Sequence, residues 1–301
     1  MSSLPRYIKS HKDGQLKKQC IAAKERLQAC DLCPRMCGVN RLESQVGICK
    51  TSESAWVSSI HAHYGEEAPL VGAKGSGTIF FTHCNLLCNF CQNSDISHES
   101  HGRPVTDTEL ASLMLNLQNQ GCHNINFVTP SHVVPQILSA LEIAIPQGLE
   151  VPLVYNTGGY DRIQTLRLLD GIIDIYMPDF KFWDNDIAEQ TCNAPDYSQV
   201  AQWAIKEMHR QVGDLVVTSE GIAIEGLIIR HLVLPKKLSG TRQIMHFLAS
   251  QISTNTYTNI MPQYRPCYKA SQTPGMESFL TEQEFMDALQ EASEEGITRL
   301  D

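Results

Sequence analysis

The chain has 301 residues, 42% of them hydrophobic and 19% charged, a balance that builds an ordinary globular core and allows one large α/β domain or two smaller ones. Its formal net charge is -9 and no Lys- or Arg-rich run stands out, which excludes nucleic acid as the main partner. The N-terminus carries positive charge without a signal-type apolar stretch, and no later segment has the length of a membrane span, so a cytoplasmic protein with no membrane association is expected. In that compartment eleven cysteines stay reduced, and clusters of them point to metal or redox chemistry rather than to disulfides.

Residues 1–75 are rich in Cys, His and Arg and show little periodicity. Within them "CDLCPRMCGVNRLESQVGIC" places Cys30, Cys33, Cys37 and Cys49 at C-x2-C-x3-C-x11-C. Four thiolates close a tetrahedral zinc site or hold a complete auxiliary 4Fe-4S cluster, and spacing alone does not choose between them. Either metal would compensate for a segment short of apolar residues. "HAHYGEE" (61–67) follows; His61 and His63 alternate as on one face of a strand, and no ligand role is assigned to them.

After "GAKGSG" (72–77) the composition changes to short apolar runs alternating with amphipathic ones. Runs at 78–81, 124–128, 152–156, 172–177, 227–234 and 258–262 read as buried strands. Helical patterns occupy 108–119, 133–145, 161–169, 196–211 and 241–251, with a last helix at 281–295. Thr106 with Glu109 makes a capping-box pattern ahead of the first of these. Six strands alternating with helices imply an α/β fold with a parallel sheet, doubly wound or curled into a partial barrel. The expected organisation is an N-terminal Cys-rich metal-binding segment over 1–75 and an α/β domain over 76–301. The run 214–226 has no assigned place.

Directly after the first of these strands comes "HCNLLCNFCQNSDIS" (83–97), with Cys84, Cys88 and Cys91 at C-x3-C-x2-C. A loop there sits at the carboxyl end of a parallel strand, where α/β folds bind their ligands. Three thiolates on a four-iron cluster leave one iron without a protein ligand. This spacing, with Phe90 before the last cysteine, resembles the signature of the radical S-adenosylmethionine (SAM) superfamily. It is most similar to the pyruvate formate-lyase activating enzymes and to an uncharacterised branch of homologues with a four-cysteine leader. "CNFCQNSDIS", "YNTGGY" (155–160), "DIYMPDFK" (174–181) and "IIRHLVLP" (228–235) carry the likeness, which runs from about Gly75 to Pro266.

The resemblance implies a partial TIM barrel, (β/α)6, and an iron-sulfur oxidoreductase. In that family S-adenosyl-L-methionine chelates the open iron of a 4Fe-4S cluster, here on Cys84, Cys88 and Cys91. Reductive cleavage then yields a 5'-deoxyadenosyl radical that abstracts a substrate hydrogen. It further implies that Phe90, Asn93, Thr129, Asn156, Thr157, Met177 and Asp179 lie around the cofactors and that Lys181 and Arg230 are active-site cations. Implied partners are a reducing electron donor such as flavodoxin or ferredoxin, and a protein or peptide substrate presenting a glycine C-H bond. Three departures accompany these matches, one being that a histidine expected near the last strand is replaced within "MPQYRP" (261–266), at Tyr264. "VTPSH" (128–132) stands where many relatives have Gly-Gly-Glu, and Asn156 stands where the activating enzyme has an aspartate.

Two other readings stay open on the sequence. One is radical SAM modification of a small molecule or short peptide, suggested by those departures. The other is a non-catalytic metal-binding protein, regulatory or scaffolding, suggested by the upstream cysteine set. The remaining Cys20, Cys122, Cys192 and Cys267 read as isolated, buried small hydrophobes.

Overall fold

A computed structural model describes residues 4–301. Nine strands are found among these residues: β1 (Ala55–His63), β2 (Ser76–Phe81), β3 (Arg103–Val105), β4 (Ile125–Val128), β5 (Leu153–Thr157), β6 (Ile175–Pro178), β7 (Val216–Val217), β8 (Ala223–Leu232) and β9 (Tyr257–Met261). The strands β2, β4, β5, β6, β8 and β9 lie side by side in chain order and pair in parallel. They are the six apolar runs expected from the sequence. The fold is therefore mixed α/β around a mostly parallel sheet, whose continuous apolar strands are buried on both faces.

The sheet extends on one side into the upstream segment. Strand β1 pairs antiparallel with β2 and also with β3. His61 and His63 do share a face of β1, with ring centroids 5.4 Å apart, and His61 stacks on Phe80 of β2. The unassigned run 214–226 forms a small hairpin in which β7 pairs with the start of β8, turning through Gly221 at φ 81°.

The helices Asp107–Asn119, Val134–Ala144, Tyr197–Val212, Thr241–Gln251 and Glu282–Glu294 match the expected ones closely. Thr106 and Glu109 form the reciprocal capping box. The helix expected over 161–169 shrinks to one turn, Ile163–Leu166, followed by a 3-10 turn. Its first residues are held as a loop because the Asp161 carboxylate accepts from Tyr155 Oη at 3.0 Å and from Thr157 Oγ1 at 2.6 Å.

Two helices, Arg6–Lys12 and Gln15–Glu25, lie in the segment that showed no periodicity. They bury Tyr7, Leu16 and Ala23 and cover the amino ends of β5 and β6. There Tyr7 Oη donates to Val151 O at 2.9 Å and the Arg6 N-H donates to Asp174 at 2.8 Å. Helix Val134–Ala144, flanked by Gln15–Glu25 and Asp107–Asn119, is buried over most of its surface, its polar Gln136 and Ser139 included, which explains why "VPQILSALEIA" is mostly apolar. Among the described residues no helix is long and apolar enough to cross a membrane.

Candidate functional site

The carboxyl ends of the six parallel strands open into one cavity of about 280 Å³. Cys84, Cys88 and Cys91 line one wall, on the loop that leaves β2. That loop folds back through His83 (φ 74°) and Leu87 (φ 57°), two side-chain-bearing residues in the left-handed region, which costs conformational energy and marks a loop held by its surroundings. What holds it is visible. Asn85 Nδ2 donates to Tyr160 O at 2.7 Å, and Arg35, from the four-cysteine segment, donates to the carbonyls of Asn85, Leu86, Cys192 and Asn193.

Two of the three sulfurs meet hydrogen-bond donors. The Leu86 N-H lies 3.3 Å from Cys84 Sγ, and Ser97 Oγ lies 3.2 Å from Cys91 Sγ. Burial pushes the Cys84 thiol up to about 12 and raises Cys91 as well. Cys88 is raised by a hydrogen bond with Cys192, then by burial. A metal ligand must give up its proton, so coordination would be what ionises thiols raised in this way. Among the described residues no three or more His, Cys, Asp or Glu converge tightly enough to hold a single metal ion; the three thiols share a cavity wall rather than a point.

Opposite them stand the charged groups. Asp179, just past β6, accepts from Lys181 Nζ at 2.5 Å and from Arg230 Nε at 2.8 Å. Burial works against the Asp179 carboxylate, but Arg230 and Lys181 outweigh it and hold it below the usual range. The same balance raises Lys181 despite its burial. Asp179 thus sits between two cations on this wall. Gly159, at φ 79° in "YNTGGY", makes the arrangement fit: a Cβ there would stand 2.2 Å from Asp179 O.

Most of the residues singled out in the sequence converge here. Asn93, Thr129, Asn156, Thr157, Asp179, Lys181 and Arg230 line the cavity together with the three cysteines. Phe90 also lines it and packs edge-on against Phe182, with centroids 5.8 Å apart. Thr129 holds φ 62° and its N-H donates to Asn156 O at 2.8 Å, so "VTPSH" shapes this wall through backbone. Met177 lies apart, in the core with Val154, Ile175 and Ile228.

Other residues were not legible as parts of the site. Glu66 places a buried carboxylate 3.8 Å from Arg230, and Glu67 accepts from Asn259 at 3.0 Å; burial raises both. Their only signal was two adjacent acids after a strand. Cys192, read as isolated, lies against Cys88, and Cys267 is only partly buried.

The four upstream cysteines line a second, small cavity of about 10 Å³ with Arg41 and His132. Burial pushes Cys33 up to about 12 and also raises Cys49.

Together these features define an α/β protein whose parallel strands end in a cavity with thiols on one wall and paired cations on the other. No family model matches the chain. It is 34% identical over 283 residues to an uncharacterised protein of Methanocaldococcus jannaschii, MJ0674, in a match covering 91% of this chain and 77% of that one, and it belongs to that protein's family.

Proposed function

We propose that this chain is a radical SAM enzyme of the activating-enzyme type: it binds a 4Fe-4S cluster on Cys84, Cys88 and Cys91 and uses S-adenosyl-L-methionine at the open iron. The observation that carries this reading is one cavity receiving these three cysteines and no other, with Asp179, Lys181 and Arg230 across it. Strand order supports the curled, partial-barrel form of the fold, because β2, β4, β5, β6, β8 and β9 follow one another without the reversal that marks a doubly wound sheet.

The donor set fits the cofactors. Cys84 and Cys91 already receive donors at sulfur, as cluster thiolates do. When bound, the cluster and SAM supply the electron transfer and bond cleavage that start hydrogen abstraction. The chain supplies position and charge. Lys181 and Arg230 favour an anionic group on the cavity wall, such as the carboxylate of SAM, and Asp179 keeps both cations in place. Asn156, at the end of β5, and the strained Thr129, after β4, add polar groups for orientation. Phe90 packs between the cysteine loop and Phe182 and bounds the cavity on that side. The electron comes from a one-electron carrier of the flavodoxin or ferredoxin class, and the substrate is a protein or peptide C-H bond.

The test is electron paramagnetic resonance of anaerobically reconstituted, reduced protein with and without SAM, alongside chromatography for 5'-deoxyadenosine. The expected result is a 4Fe-4S signal that shifts with SAM and release of deoxyadenosine. An unshifted signal with no deoxyadenosine overturns the reading in favour of a non-catalytic metal protein.

A further inference from the structure

The second cavity has a feature that the cysteine spacing did not contain. His132 is buried, and its Nε2 lies 3.0 Å from Thr82 O. A carbonyl only accepts, so Nε2 carries the proton and, on the neutral ring, Nδ1 keeps its lone pair. That Nδ1 is buried without a hydrogen-bond partner, and the residue lines the cavity with Cys30, Cys33, Cys37 and Cys49. A ring with one nitrogen donating to a backbone carbonyl and the other bare is the arrangement of a metal-ligating histidine.

Arg41 adds a second unsatisfied group. It is 1% exposed; its Nε donates to Ser52 O and its Nη1 to His132 O, both at 2.8 Å. Its Nη2 is buried with no partner. A buried guanidinium beside four cysteines is costly unless the site it faces carries negative charge. Gly47 completes the enclosure: a Cβ there would stand 2.6 Å from Cys37 Sγ, so only glycine lets the chain close over that thiol.

The spread of the thiols bears on what they hold. Zinc keeps four sulfurs at about 2.3 Å from one point, too tight for a water-sized sphere among them. The cavity here admits the centre of such a sphere. Four thiolates that line such a cavity and converge on no single ion suit a polynuclear centre with one thiolate on each iron, and His132 lies beside them.

We propose that Cys30, Cys33, Cys37, Cys49 and His132 surround an iron-sulfur cluster whose negative charge is compensated by the Arg41 guanidinium. This adds a second metal centre to the function proposed above, but the cluster itself does not depend on SAM chemistry. It is tested on the full chain with Cys84, Cys88 and Cys91 all changed to Ala, reconstituted anaerobically with iron, sulfide and zinc together.

The expected result is iron and sulfide in equal amounts with cluster absorbance, and a midpoint potential that moves negative in Arg41→Met, which removes the compensating charge, and that also moves in His132→Gln. Zinc without sulfide, or no metal on a folded chain, overturns the proposal, and an unmoved potential overturns the parts given to Arg41 and His132. Should the triple variant not fold, the otherwise native chain with Cys30 and Cys33 both changed to Ala, which leaves too few thiolates for a cluster there, decides: iron falls by about half relative to the native chain if two 4Fe-4S clusters are present, and unchanged iron overturns the second cluster. Failure of the radical SAM reading shows separately, as absence of deoxyadenosine from native protein whose upstream iron is intact.

Discussion

Arg35 Nε donates to the carbonyl oxygen of Asn85 at 2.9 Å, across fifty positions of chain. The same guanidinium reaches Leu86 O at 3.2 Å and Cys192 O at 2.7 Å, and lies 5.1 Å from the centre of the Tyr160 ring. One residue of the four-cysteine segment thus braces the loop that carries Cys84 and Cys88, so the two cysteine sites are mechanically joined.

Replacing Arg35 by Met leaves four carbonyls without their donor while keeping much of the side chain's bulk. The cost expected from charge-assisted hydrogen bonds is about 2 to 3 kcal/mol. Cluster occupancy at the three-cysteine loop should fall with it. Chemical denaturation and iron content of Arg35→Met and Arg35→Lys check this, with Lys recovering only part of the loss because it lacks the planar fork.

The cysteines divide by position. Cys88 lines the main cavity, Cys192 touches it from behind, and Cys33 belongs to the other site. Cys88→Ala should abolish SAM cleavage, Cys192→Ser should leave it within a few-fold of native, and Cys33→Ala should chiefly lower stability. Deoxyadenosine yield at matched occupancy of the Cys84, Cys88 and Cys91 cluster separates the three. Equal loss in Cys33→Ala and Cys88→Ala would make the upstream site part of the chemistry.

How much of this was legible in the sequence follows from what each signal encodes. The six parallel strands were readable because burial on both faces forces uninterrupted apolar runs. Cys84, Cys88 and Cys91 were readable because three cysteines sit on one loop. The helices Arg6–Lys12 and Gln15–Glu25 were not, since they are held by contacts to β5 and β6 such as Tyr7 to Val151 rather than by a strong apolar face of their own. Arg35, Arg41, Glu66 and His132 were missed for a related reason. Each acts through partners far away in the chain, and a lone arginine or histidine carries no spacing to read.

Gly159 gives a backbone test of the charged wall. Its φ of 79°, with only 2.2 Å between the place a Cβ would take and Asp179 O, leaves no room for alanine. Gly159→Ala should cost about 3 kcal/mol through strain and displacement and should disturb Asp179 even though no charge is changed. Thermal denaturation with SAM-binding calorimetry checks both effects, and a stable variant with native binding would show that the loop after β5 does not set the wall.

Asp179→Asn keeps the shape and removes the charge between Lys181 and Arg230. Lys181 then loses its carboxylate partner while Arg230 keeps Glu66 at 3.8 Å, a loss of about 3 kcal/mol for a broken buried pair. The depressed carboxylate also sets an acid limb. Its contribution is complete above about pH 4, the unfolded value, and is lost as pH falls through the lower folded value. Denaturation of native protein and variant at acidic and neutral pH should show the variant less stable at neutral pH and the difference narrowing in acid.

Asp174 should produce the opposite slope. It is 1% exposed, and burial lifts it to about 7 although the N-H groups of Arg6 and Leu153 donate to it at 2.8 and 2.9 Å. Between the unfolded value near about pH 4 and about 7 the folded chain binds the extra proton. Its contribution is therefore fully present below about pH 4, declines as pH rises toward 7, and stays flat beyond. Asp174→Asn cannot ionise, so this decline should disappear. The variant should also lose about 1 to 3 kcal/mol in acid, because the amide NH2 replaces one acceptor and leaves an N-H unpaired. Urea midpoints across this range decide the matter: parallel slopes in native protein and variant would mean that Asp174 is ionised in the fold and that the Arg6 and Leu153 amides outweigh its burial.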